Sequence, residues 1–102
     1  MGGNLIVSVP GPIRDAAAFS LMRELEDVIE RERLGTLHSC GGSRAVGSPY
    51  ANFYQYWLEA TDFEGAVSRI RELARRPHVP AGLTLWEASE EWKKVRQVDL
   101  GS

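Results

Sequence analysis

One cysteine, Cys40, occurs in the whole chain, so no intramolecular disulfide can form, and a small oxidised domain would normally carry several paired ones. There is no excess of positive charge: 12 Lys and Arg stand against 14 Asp and Glu, a formal net charge of -2. No global field therefore draws in phosphate backbones or anionic lipid, and nucleic acid and membrane are not expected as partners. The opening Met1-Gly2-Gly3-Asn4 has no basic stretch, and the apolar run Leu5 to Val9 is too short for a secretory core or a membrane span. A reducing, cytoplasmic location is the expectation. What is present is 43% hydrophobic residues in 102 positions, enough for one core in a single domain without metal or disulfide staples.

Leu5-Ile6-Val7-Ser8-Val9 is short and β-branched, the composition of a strand, and Pro10-Gly11-Pro12 should stop it. Asp15 can cap a helix whose apolar positions Ala18, Leu21, Met22, Leu25, Val28 and Ile29 recur at three and four, with Gly35 as its stop. Thr36 to Cys40 suits a second strand, and Gly41 to Pro49 is turn chemistry throughout, expected as a mobile loop. Asn52 to Ala60, rich in aromatics, reads as the longest strand. Thr61 and Glu64 have capping-box spacing before a helix with the stripe Phe63, Ala66, Val67, Ile70, Leu73 and Ala74, which Pro77 ends. Leu83 to Glu87 makes a fourth strand. In Ser89 to Val98, Trp92, Val95 and Val98 are spaced by three, which fits a short helix, and an extended tail along the sheet is the alternative.

The order β-α-β-β-α-β predicts an α+β fold, a ferredoxin-like plait: a four-stranded antiparallel sheet with two helices on one face, spanning residues 5–88, and a C-terminal extension over 89–102. The chain also resembles small bacterial plait proteins of unassigned function, in which a helix like Leu21-Met22-Arg23-Glu24-Leu25-Glu26-Asp27 precedes an aromatic strand like Asn52-Phe53-Tyr54. That resemblance implies a fold and no catalytic residues.

Helices on one face leave the other face of a sheet uncovered. Alternation along the strands sends Leu5, Val7, Val9, Leu83 and Leu85 toward the helices and Ile6, Ser8, Thr84 and Trp86 away. On the aromatic strand, Tyr54, Tyr56, Leu58 and Ala60 are placed inward, since the other set carries Glu59. The open face would then hold Ile6, Phe53, Trp57 and Trp86 among polar neighbours. Each aromatic has roughly 150–250 Å² to bury, so three of them exceed the few hundred Å² of contiguous apolar surface usual on a monomer. Something should cover them: the C-terminal segment with Trp92 and Val95, a partner, or a ligand.

Other constellations are weaker. His38 and Cys40, two apart on a strand and hence on one face, could meet His78, yet the spacing of a zinc site is missing and no metal is expected. Ser39, Cys40 and Ser43 lack the motif of an activated nucleophile, and Glu24, Asp27, Glu30 and Glu32 read as a solvated helix face. Gly41-Gly42-Ser43-Arg44 matches no phosphate-binding fingerprint, and no cofactor is expected. Asn52 and Gln55 stand where an RNA-recognition motif needs aromatics.

The expectation is a non-enzymatic binding domain. It would engage a protein partner, another copy or a target in the manner of immunity-type inhibitors, through Phe53, Trp57 and Trp86 on the open face or Arg44 in the glycine-rich loop. The alternative is an enzyme or ligand carrier like the dimeric plait monooxygenases, with an aromatic pocket and no catalytic residue identifiable from the sequence.

Overall fold

The computed structural model describes residues 2–100. It is α+β, with two helices and a five-stranded antiparallel sheet ordered β2-β3-β1-β4-β5. In chain order the elements are β1 (Gly3–Arg14), α1 (Asp15–Arg31), β2 (Gly35–Ser43), β3 (Tyr50–Ala60), α2 (Phe63–Ala74), β4 (Thr84–Ala88) and β5 (Lys94–Val98). The fifth strand corrects the expected four, and at the C-terminus the extended alternative along the sheet, not the short helix, is what forms. Val98 pairs with Leu85 and is buried with it, so the apolar residue that suggested a helical stripe is a strand residue closing the core at the sheet edge.

Periodicity explains the helices. Ala18, Leu21, Leu25 and Ile29 of α1 and Ala66, Val67, Ile70 and Leu73 of α2 are buried in one cluster with Leu5, Val7, Val9, Tyr56, Leu58 and Leu85 from the sheet. Both helices therefore lie on the same face, and the inward assignment of Tyr56, Leu58 and Ala60 holds. Tyr56 also donates a hydrogen bond from its hydroxyl to the Ala18 carbonyl at 2.7 Å, joining β3 to the first turn of α1 and satisfying a buried phenol.

Several boundaries differ from the sequence expectation. β1 does not stop at Pro10: Gly11 and Pro12 bulge out opposite the single residue Asn52, and Ile13 rejoins the ladder against Ala51, where it is buried. A bulge is one of the few places a proline can occupy within a sheet. Arg14, not Asp15, precedes the first turn of α1, and Asp62, not Thr61, caps α2, accepting from the Gly65 amide at 3.0 Å. Arg33, at φ 58, makes the left-handed turn after α1, so Gly35 is released to begin β2. Its place there is set by crowding, since a Cβ would sit 2.1 Å from the Glu59 carbonyl oxygen. Gly41, Gly42 and Ser43 are ladder residues paired with Gln55, Tyr54 and Phe53, which shortens the expected loop to residues 44–49.

Candidate functional site

The helix-free face is built from β1, β3 and β4 in register. Ile6 lies directly between Trp57 on one side and Trp86 on the other, and Asn4 pairs across to Ala88. Ile6 is 2% exposed and Ala88 8%, yet neither belongs to the core cluster between sheet and helices. They are the floor of a second, smaller apolar cluster on the opposite side of the sheet. Its walls are half-buried tryptophans: Trp57, Trp86 and, from the β4–β5 turn, Trp92.

Trp92 reaches this face because the turn curls across it. The Asn4 side-chain amide donates to the Ser89 carbonyl at 3.0 Å, Trp92 N donates back to that same carbonyl at 2.9 Å, and the Lys93 amide donates to the Ser89 hydroxyl at 3.2 Å. Trp92 itself has φ 62, a left-handed conformation uncommon for a bulky side chain and costing on the order of 1–3 kcal/mol. The compensating contact is visible: its ring stacks on His38 of the far edge strand, centroids 5.2 Å apart and planes 16° from parallel. A segment expected as a helix or tail thus spans the sheet from β5 back to β2.

His38 is available for that stack because of an irregularity in β2. Leu37 pairs with Leu58 and Ser39 with Trp57, so His38 is an extra residue and both it and Ser39 face the open side. Cys40 consequently turns toward the helices, its thiol 3.6 Å from the Met22 sulfur. The expectation that His38 and Cys40 share a face is corrected by this bulge. His78 is elsewhere, 2.7 Å from Glu24 on α1, so the three residues weighed as zinc ligands are not brought together. His38 Nδ1 instead lies 3.3 Å from the Glu59 carboxylate.

His38, Ser39, Trp57 and Trp92 line a groove of about 280 Å³. On the same face Phe53 is 41% exposed. Lys94 places its ammonium 4.7 Å from the centroid of Trp86, and the Trp86 indole N–H donates to the Thr84 hydroxyl at 3.1 Å. Of the residues expected to bind, Phe53, Trp57 and Trp86 are therefore together on the open face. Arg44 is apart from them. Its guanidinium pairs with Asp15 at the start of α1 and donates to the Ser48 carbonyl at 3.4 Å.

Sequence reasoning missed His38 and Ser39 as groove residues, and it had no signal for the bulge that exposes both. Trp92 was legible as a candidate cover for the open face, and it occupies that face while Val95 beside it stays exposed. Among the described residues no helix is long and apolar enough to cross a membrane, and no group of His, Cys, Asp and Glu is arranged to hold a metal ion. Comparison with family models, curated proteins and solved structures finds no match for this chain.

Proposed function

We propose that this chain is a ferredoxin-like plait extended by a fifth strand, and that it works as a non-enzymatic domain binding a protein partner on its helix-free sheet face. Strand order supports the first part: with β5 set aside, β1 and β3 are central, β2 and β4 flank them, and both helices cover one side. The second part rests on one observation. The helix-free face concentrates Phe53, Trp57, Trp86 and Trp92 over a buried floor, and the curled turn covers only part of them. Apolar surface left against water costs about 25 cal/mol per Å², and contiguous patches of this kind mark interaction surfaces. The shallow groove and the pairing of Arg44 with Asp15 favour the sheet face over the glycine-rich loop as the docking surface.

Photo-crosslinking tests this directly. A benzoyl-phenylalanine placed at Phe53 is expected to capture discrete products in cells that make the protein, while the same group at Phe19, exposed on α1, captures few. If the partner is a second copy, the product has twice the mass of the chain. Equal yields from both positions would remove the open face as the docking surface.

A further inference from the structure

We propose that the groove between Trp57 and Trp92 is a subsite for an arginine side chain of the protein partner. The inference rests on the binding role just proposed and adds the chemistry that is recognised. Three observations converge on a flat cation. No cationic side chain is among the four that line the groove, which offers two indoles, an imidazole and a hydroxyl. Glu59 lies beside His38, its carboxylate 3.3 Å from Nδ1, and supplies negative charge at the edge of the site. On the turn that carries Trp92, Glu90 and Glu91 are balanced by Lys93 and Lys94, and the Lys94 ammonium is already seated on Trp86. That Lys94 contact is an internal example of the same chemistry: this face already holds a cation on an indole.

Arginine fits this set better than lysine. A guanidinium is planar and weakly hydrated, stacks on aromatic faces, and carries several N–H donors in a fork. Stacked in the groove on an indole, it can donate to the Ser39 hydroxyl while its charge lies near Glu59. An ammonium has neither the plane to stack nor the fork. The turn conformation is consistent with a site held ready for such a group: Trp92 stays at a positive φ with its ring fixed on His38 by stacking.

The test separates charge from shape. N-acetyl-arginine amide and its neutral isostere N-acetyl-citrulline amide are titrated into the intact protein while the indole N–H resonances of Trp57, Trp86 and Trp92 are followed. The expected result is saturable movement of Trp57 and Trp92, with the arginine compound binding at least five-fold more tightly than the citrulline compound. Glu59→Gln, a change at an exposed side chain that leaves the packing of the sheet intact, should reduce the arginine affinity by at least five-fold and leave the citrulline affinity unchanged. Equal affinities for the two compounds, no saturable movement, or movement confined to Trp86 each overturn the proposal. Face-selective crosslinking without arginine binding overturns this inference alone. Arginine binding with crosslinks spread evenly over the surface overturns the partner reading, and with it the protein origin of the cation.

Discussion

At the scale of single residues, the most informative group is Tyr56. Its ring is fully buried beside the helices and its hydroxyl has one partner, the Ala18 carbonyl. Burial raises its pKa far above the ordinary phenol value, with the neighbouring Tyr54 and Cys40 adding to the effect. Tyr54 is raised too, by burial first and Cys40 second. Both phenols are therefore held neutral in the folded chain beyond the pH, about 10, at which they ionise when unfolded. The unfolded state then binds fewer protons than the native one, so their contribution is complete below about pH 10 and is lost as pH climbs through the folded values. We expect stability to fall steeply above that pH, and Tyr56→Phe to flatten the fall while costing about 1 kcal/mol at neutral pH through the lost hydrogen bond. Urea unfolding followed from pH 7 to 11 checks both. A wild-type curve that is level through pH 11 would contradict the assignment of these phenols as buried and neutral.

Gly42 gives a second residue-scale test. A Cβ built there would stand 2.5 Å from the Phe53 carbonyl oxygen and 2.6 Å from the Tyr54 ring, so the glycine marks a close approach of β2 to β3. Gly42→Ala should destabilise by roughly 1–3 kcal/mol, as overpacking of a fitted interface does. Gly47 has nothing within 4 Å of its Cβ position, yet its φ of 81 favours glycine on conformational grounds alone. Gly42 and Gly47 therefore act in two different ways, which a reading of residues 41–49 as one mobile loop did not separate.

At the scale of elements, what was legible in the sequence is what depends on one segment at a time. The stripes Leu21-Leu25-Ile29 and Val67-Ile70-Leu73, and the alternation that buries Tyr56, Leu58 and Ala60, are fixed by local period, and all three appear in the fold. The rest depends on a neighbouring strand. Nothing local tells whether Pro12 ends β1 or bulges against Asn52, or that His38 is the extra residue opposite Leu58 and Trp57. β5 was hidden for a related reason: Trp92, Val95 and Val98 fit a helical spacing of three, and only pairing with β4 separates a turn residue from two strand residues. The candidate site was half readable. Phe53, Trp57 and Trp86 follow from alternation, whereas the groove also needs a bulge and a turn that reach toward each other from opposite sheet edges. Two expectations follow for the elements. Val98→Ala should cost roughly 1–3 kcal/mol, because it opens a cavity beside Leu85. Replacing residues 44–49 with a tight turn should cost no more than about 1 kcal/mol, since loop closure varies slowly with length and the Arg44–Asp15 pair is solvent-exposed. Chemical denaturation measures both, and a loop variant losing several kcal/mol would make the segment structural.

For the molecule as a whole, an antiparallel sheet with one helix-covered face leaves two unpaired edges, β2 and β5, and each is a template for pairing with another chain. The two edges are guarded differently. β2 is interrupted by the bulge at His38 and carries Gly41 and Gly42, which gives an incoming strand an irregular ladder. β5 is short and carries two cations, Lys94 above Trp86 and Arg96 paired with Glu87 at 2.6 Å. Without them its five residues would read Val-Val-Val-Gln-Val after Lys94→Val and Arg96→Val, an uncharged β-branched segment on an open edge. The native interactions lost are modest: an exposed ion pair contributes about 0–1 kcal/mol and an exposed cation–π contact about 0.5–1 kcal/mol. The double variant should therefore unfold at nearly the wild-type denaturant midpoint while losing reversibility on heating, with light scattering rising at protein concentrations where the parent stays clear. Restoring either charge alone should recover much of the solubility, because a single charge inside a short edge strand suffices to oppose stacking. If the double variant refolds as cleanly as the parent, the edge is protected by something other than its charges, and Lys94 and Arg96 serve only the side chains they touch.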